Sequence, residues 1–302
     1  MTNVIGIDLG GTAIKLGRFL EDGTCLESLN IPTPQPASPP AVVATITEAV
    51  AQINQDHTAI AIGIGTPGPA DVTGRIAEVA INLAGWHNVP LADWLEEQTS
   101  LPTVIANDAN CAGLGEAWLG AGRNYQNLIL LTLGTGVGGA IILDGKLFIG
   151  HRGAAGELGL ITFRPEGYRC NSGNRGSLEQ YLSVGAIRRD TGKEPFELGE
   201  LAQGGNQGAL KFWKNYGKVL GTGLASLIYV LTPEAIVIGG GISASADFFL
   251  PSAGKEIEQR VLSNSLGGLQ LLKAELGNQA GMVGAARLGW QNYQRLAAKG
   301  KG

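Results

Sequence analysis

Asp8 stands just before Gly10, Gly11 and Thr12. A glycine turn brings successive backbone N–H groups together as an anion-binding concavity, and a threonine adds a hydroxyl donor. A carboxylate beside such a turn is placed to hold Mg2+, usually through water, while phosphate fills the turn. The alternative reading of Asp8 is an ordinary turn aspartate. Lys15 is grouped with these phosphate-side residues, its alternative being a solvated surface lysine. Gly134, Thr135 and Gly136 repeat the composition in the middle of the chain. Two such turns would grip a triphosphate between them.

Asp108 lies in "VIANDAN", where a buried apolar run stops and a helical pattern starts. In isolation it reads as a helix N-cap. With Asn107 and Asn110 it makes a dense polar cluster at the carboxyl end of a strand, which is where open α/β sheets place their ligands. A third stretch, "YRCNSGNRGSLEQYLS" (168–183), has the spacing C-x-C-G-x-x-G-C-x-E if serines stand for two thiols. Only Cys170 is a thiol; Ser172 and Ser177 are neutral hydroxyls and poor zinc ligands, so no zinc is expected.

Two glycine patterns suggest a dinucleotide site and fail on context. "GTGVGG" (134–139) runs into a strand, and "GIGTPG" (63–68) runs into Pro67 and Pro69. The fingerprint needs a glycine turn that opens a helix, even though Glu157 falls about twenty residues after Gly136, at the ribose-binding distance. No Walker-type motif is present.

The elements that must position these residues follow from apolar periodicity. "NVIGID" (3–8) is a strand and "AIKLGRFL" its hairpin partner. The proline-rich stretch 31–40 resembles a linker by composition, but a helical pattern follows at once, which favours a loop inside a domain. "TAIAIGIG" and "LPTVIANDAN" read as buried strands, and "ANCAGLGEAWLG" as a helix. A second cycle opens at "NLILLTLGTGVGGAIILDGKLFIG", with a hairpin turn at Asp144 and Gly145. Helical pattern fills roughly 206–231, "EAIVIGGG" is a late strand, and 279–298 is a terminal helix. The two strand–turn–strand cycles resemble each other, so two similar α/β lobes are expected, with chance recurrence of glycine hairpins as the alternative.

At 302 residues, 44% hydrophobic and 16% charged, the chain can build a substantial core. A net charge of −4 with scattered cations argues against nucleic acid or an anionic membrane as partner. Glycine, at 47 residues, is about twice its usual share, which points to tight turns and backbone–ligand contacts. Three cysteines make no disulfide framework, and Cys25 and Cys111 read as small buried hydrophobes. The opening "MTNVIGIDLGG" has no export-signal pattern, and no apolar run is long enough to span a bilayer, so a cytoplasmic location is expected.

The combination resembles the ROK family of sugar kinases and related repressors, within the actin-like, hexokinase-like ATPase superfamily. "IDLGGTAIKLG" and "LTLGTGVGGAII" look like its two phosphate motifs, "GIGTPGPAD" its sugar loop, and "NDANCAGLGE" its catalytic segment. "GHRGAAGELG" looks like the family signature and "IVIGGGIS" the nucleotide-side turn; "NLAGW" and "AGMVGAA" also fit. The motifs keep family order from residue 6 to residue 286.

The resemblance implies a two-lobed α/β fold of the actin-like ATPase (hexokinase/ribonuclease H-like) type. The small lobe would comprise residues 1–117 with a terminal helix at about 287–302, and the larger lobe residues 118–286. It implies ATP and Mg2+, Asp108 as the base on a sugar hydroxyl, and a homodimer. Asn107, Asp108, Glu157 and Glu179 would contact the hexose, joined by Gly65 and Asn82. Gly10, Gly11, Thr12, Gly134, Thr135 and Gly136 would contact phosphates, and Gly239 and Gly240 the adenosine. Glucose, phosphorylated on its 6-hydroxyl, is the first expectation; fructose, N-acetylmannosamine and N-acetylglucosamine are alternatives. A non-catalytic sugar sensor is the rival from another class. A DNA-binding regulator is not expected, because the first phosphate motif begins near residue 6. In zinc-bearing relatives the 168–183 stretch supplies three thiolates, and a histidine supplies the fourth ligand where this chain has Leu160.

Overall fold

The computed structural model describes residues 1–80 and 83–299. The chain divides into two compact units, Met1–Arg123 with Lys146–Gly156 and Asn278–Gly302, and Asn124–Gly145 with Glu157–Gly277. Strands and helices are numbered in chain order.

In the first unit, β1 (Asn3–Leu9), β2 (Ala13–Phe19) and β3 (Cys25–Pro32) form an antiparallel meander. Helix α1 (Pro39–Ile53) then leads to β4 (Ala59–Thr66), which pairs parallel with β1. After the small hairpin β5 (Ala77–Val79) and β6 (His87–Val89), helix α2 (Leu91–Thr99) delivers the chain to β7 (Thr103–Asn107), parallel to β4. The sheet order is β3-β2-β1-β4-β7, and helix α3 (Asp108–Trp118) follows. The proline-rich stretch runs from the end of β3 through a loop at 33–38 into α1, all within this unit: Trp86 Nε1 donates to Ala37 O at 2.8 Å, and both residues are buried.

In the second unit, β8 (Leu128–Leu133) and β9 (Val137–Leu143) form a hairpin. Asp144 and Gly145 both take positive φ in the next turn, as an Asp-Gly hairpin requires. The two-residue strand β10 (Lys146–Leu147) then begins the segment belonging to the first unit. Four helices follow: α4 (Glu179–Leu182), α5 (Val184–Thr191), α6 (Pro195–Gln203) and the long α7 (Gln207–Leu231). Strand β11 (Ala235–Gly239) pairs parallel with β8; helices α8 (Ala246–Arg260) and α9 (Ser263–Leu266) lead to β12 (Gln270–Lys273), parallel to β11. The order β9-β8-β11-β12 matches β2-β1-β4-β7 of the first unit, a hairpin followed by two parallel strands. The repeat read from two glycine hairpins therefore extends to whole sheets.

Helix α7 buries Trp213, Tyr216, Leu220, Leu224 and Ile228 at three- and four-residue spacing. Trp213 and Tyr216 pack on Phe249 of α8 at ring distances of 5.8 and 5.2 Å. Full burial of side chains this large contributes about 1.5–3 kcal/mol each, so this cluster is a main support of the second unit.

The first unit is closed by the terminal helix α10 (Ala280–Lys299), and glycine makes the closure possible. A Cβ on Gly6 of β1 would lie 2.2 Å from Met282 O, one on Gly63 of β4 1.8 Å from Ala285 O, and one on Gly115 of α3 2.3 Å from Ala280 O. Backbone thus meets backbone, a use of glycine outside the turns and ligand contacts expected from composition.

The division differs from the expected one in two places. All of α10 lies in the first unit, not only its part beyond about residue 287, because its first turns carry these contacts. Lys146–Gly156 joins the same unit: Leu147 packs near Ala106 and Cys111, and a Cβ on Gly153 would meet Ala70 O at 2.6 Å. Cys25 is also corrected. It is exposed, because it opens the edge strand β3, whose residues mostly face solvent.

Arg18 of β2 is buried and anchors the end of α1. Its guanidinium donates to Asn3 Oδ1 (3.2 Å), Ile53 O (2.6 Å), Asp56 Oδ2 (2.8 Å) and Thr58 Oγ1 (2.9 Å).

Candidate active site

In the first unit, three parallel strands bring predicted residues to one sheet end. Asp8 of β1 is in register with Gly65 of β4, and Thr66 with Asn107 at the end of β7. Asn107, not Asp108, caps α3: its Oδ1 accepts from Ala109 N at 2.9 Å and Asn110 N at 3.3 Å, and its Nδ2 donates to Gly68 O at 3.1 Å. Asp108 is the first residue of the helix, with Oδ1 accepting from Ala109 N at 2.7 Å. Negative charge is favoured at that end of a helix.

Gly65 allows a close approach here, since a Cβ on it would meet Cys111 Sγ at 3.3 Å and Asp108 Cα at 3.6 Å. Cys111 is fully buried, and its thiol is pushed well up, first by burial and then by the charges of Asp8 and Asp108. Both carboxylates therefore act on one buried atom, a relationship hidden in the sequence reading of Cys111 as a small hydrophobe.

Lys15 Nζ lies 3.3 Å from Asp8 Oδ2 and 3.0 Å from Asn278 O, so it is anchored beside the first glycine turn and is not a free surface lysine. Gly281 of α10 leaves room for the Asp8 carboxylate, which a Cβ there would approach to 3.0 Å. The turn itself is tight: Gly10 N donates to Ala13 O at 3.0 Å, and Thr33 Oγ1 donates to Gly10 O at 2.7 Å. Gly11 O accepts from Gln35 Nε2 at 3.5 Å, and Thr12 is exposed. A single carboxylate beside such a turn fits magnesium, which fills its other positions with waters and phosphate oxygens.

In the second unit, the corresponding turn closes through Gly134 N donating to Gly136 O at 2.9 Å, with Thr135 exposed at its tip. Glu179, which begins α4, reaches this turn: its Oε2 accepts from Val137 N at 3.0 Å. Glu157 is exposed over much of its surface, yet its carboxyl is held above the usual range, first by partial burial and then by the charge of Glu179. Gly239 ends β11, and Gly240, at φ +80, lies so close to the end of β8 that a Cβ would be 2.3 Å from Leu133 O. Gly239 and Gly240 thus adjoin the second glycine turn. Asn82 lies outside the described residues.

Around Cys170 stand the hydroxyls of Ser172 and Ser177 and the carboxylate of Glu179. Burial pushes its thiol up, but the polar surroundings supplied by Ser172 and Ser177 outweigh burial and bring the pKa below its ordinary value. One thiol among hydroxyls, with the aliphatic Leu160 in the same region, does not fit the four-ligand demand of structural zinc. Among the described residues no helix is long and apolar enough to cross a membrane.

Two matched sheets, each carrying a glycine turn on its first hairpin, define an actin-like ATPase fold. The chain belongs to the ROK family, whose sequence profile matches residues 4–292. It is 32% identical to the glucokinase of Thermotoga maritima over 94% of this chain and 96% of that protein. A ROK family glucokinase from Streptomyces griseus, solved with glucose and AMPPNP, superposes with a TM-score of 0.79 at 34% identity, covering 96% of this chain and 99% of that one. The ROK hexokinase of Thermus thermophilus superposes with a TM-score of 0.86 at 32% identity, covering 97% and 100%.

Proposed function

We propose that the protein is an ATP-dependent hexose kinase that phosphorylates the 6-hydroxyl of glucose. What supports this most is the arrangement at the carboxyl end of the first sheet: a phosphate turn with its own carboxylate, Asp8, and a second carboxylate, Asp108, leading α3. Similarity to glucokinases over nearly the whole chain supports the substrate class.

In this reading Gly10, Gly11, Thr12 and Lys15 hold phosphate, as do Gly134, Thr135 and Gly136. Gly239 and Gly240 receive the adenosine. Asp8 holds Mg2+ through water; when bound there, the ion offsets charge on the phosphate oxygens. Gly65, Asn82, Asn107, Glu157 and Glu179 orient the sugar. Asp108 accepts the proton of the attacking hydroxyl as that oxygen bonds to the γ-phosphorus. The bond from the γ-phosphorus to the bridging oxygen breaks, and ADP leaves. Leu160 offers the sugar no hydrogen bond, so glucose is held by carboxylates and amides alone.

The test is ADP release from ATP with glucose, fructose, N-acetylmannosamine and N-acetylglucosamine, each as kcat/KM. Glucose is expected to lead. A different leader reassigns the substrate, and sugar binding by calorimetry without ADP release from any of them makes the protein a sensor.

A further inference from the structure

Glu157 and Glu179 sit at the two ends of an excursion that runs from residue 157 to residue 179 and contains only one short helical turn, Leu158–Leu160. The excursion's two arms are joined by no extended ladder, only by an isolated antiparallel bridge of Thr162 with Ser177 and backbone bonds from Phe163 N and Arg164 N to Gly176 O at 2.7 and 2.9 Å, so a few cross-links decide where the carboxylates stand. One side chain supplies two more. Asn174 Nδ2 donates to Leu160 O and to Thr162 Oγ1, both at 3.1 Å. Its Oδ1 accepts from Arg175 N at 2.7 Å, and its backbone O accepts from Cys170 N at 2.8 Å.

Both arms lead directly to the carboxylates. Leu160 N donates to Glu157 O at 3.0 Å, closing the turn that starts at Glu157. On the other arm, Leu178 N donates to Ile161 O at 3.0 Å, and Cys170 Sγ lies 4.0 Å from Glu179 Oε1. The two carboxylates are near enough for the charge of Glu179 to act on Glu157. Asn171 is exposed and spans nothing comparable, whereas Asn174 is half-buried. Within the loop, only Asn174 has an amide that donates to the Glu157 arm while its own backbone orders the Cys170 arm.

We propose that Asn174 is a positioning residue that clamps these arms and so sets the separation of Glu157 and Glu179 for hexose binding. Its effect on sugar binding rests on the hexose-kinase reading; the clamp itself does not. The amide is matched to the task because one planar group donates and accepts at once. An aspartate of the same size would keep the acceptor for Arg175 N and lose the donor to Leu160 O.

The experiment compares Asn174→Ala and Asn174→Asp with the unaltered full chain by two readouts. Hydrogen exchange is followed over residues 157–164 and 168–179, and KM for hexose and ATP is measured separately. Both variants are expected to exchange faster in those segments, with residues 1–66 unchanged. Loss of this donor should raise hexose KM about tenfold while KM for ATP stays within about twofold. Unchanged exchange in Asn174→Ala overturns the clamp. Faster exchange with an unchanged hexose KM overturns the positioning role. If the unaltered chain phosphorylates no hexose, the kinase reading fails, and calorimetric sugar affinity replaces KM as the binding readout.

Discussion

Glu179 Oε2 accepts the Val137 N–H at 3.0 Å and stands 2.6 Å from the place a Cβ on Gly136 would occupy. A carboxylate proposed for sugar and a turn proposed for phosphate therefore share one contact. Gly136→Ala should push the carboxylate aside and open the turn together. The expected outcome is a rise of about tenfold in KM for both hexose and ATP, measured in the same steady-state assay. A rise for ATP alone would separate the two.

Asp108→Asn keeps the size of the side chain at the start of α3 and removes its capacity to take a proton. The expected result is a fall in kcat of about 10²–10⁴ with hexose affinity little changed. Calorimetry on the variant checks the second half, and undiminished kcat would remove Asp108 from the base role.

The raised pKa of Glu157 has a direction. A carboxyl held above its usual range takes up its proton at a higher pH than an ordinary glutamate, so its charge as a hydroxyl acceptor is lost sooner on acidification. The hexose kcat/KM should therefore fall on the acid side earlier than an unperturbed glutamate would dictate. Glu157→Gln should lower the plateau and flatten that limb; an unaltered limb assigns it to another group.

Arg18 tests the scaffold. Its hydrogen bond holds the Asp56 carboxyl at about 2, below the ordinary value of about 3.9. A depressed folded-state pKa gives stability that is complete above about pH 4 and lost as pH falls through about 2. Arg18→Met leaves the Ile53 carbonyl and Asn3 Oδ1 short of a donor, while Thr58 Oγ1 keeps the donor Asn3 Nδ2. Loss of the buried hydrogen bond to the Ile53 carbonyl should cost about 1–3 kcal/mol at neutral pH. The deficit should narrow toward pH 2 in urea melts.

The Cys170 region predicts its own metal behaviour. Purified protein should contain no stoichiometric zinc. Combining Leu160→His, Ser172→Cys and Ser177→Cys supplies three thiolates and an imidazole, and should yield about one zinc per chain by atomic absorption. Equal zinc in the two proteins would contradict this account.

Much of the first unit's site was legible because it sits where buried apolar runs end. "NVIGID", "TAIAIGIG" and "TVIAN" each stop beside a polar or glycine residue, and those stops became the sheet end that carries Asp8, Gly65 and Asn107. Strand β3 was not legible, since an exposed edge strand lacks the burial that writes a pattern into sequence. Arg18 looked like any polar residue in "AIKLGRFL"; its partners come from the end of α1 and the loop after it. Asn171 and Asn174 are equivalent by type and neighbourhood, and only the path of the chain gives one of them Leu160 as partner. Long-range partnership, not local propensity, separates what was read from what was missed.

Helix α10 also carries a consequence for the order in which the protein is made. The strands it covers, β1 and β4, emerge within the first 66 residues, while α10 begins at Ala280. At about 5–20 residues per second, the ribosome needs roughly 10–40 seconds to bridge that gap. Throughout it, the glycine-lined face of the early sheet has no helix to rest on, and the second unit can assemble first. The first unit is thus completed only when α10, the last helix of the chain's described residues, has been translated.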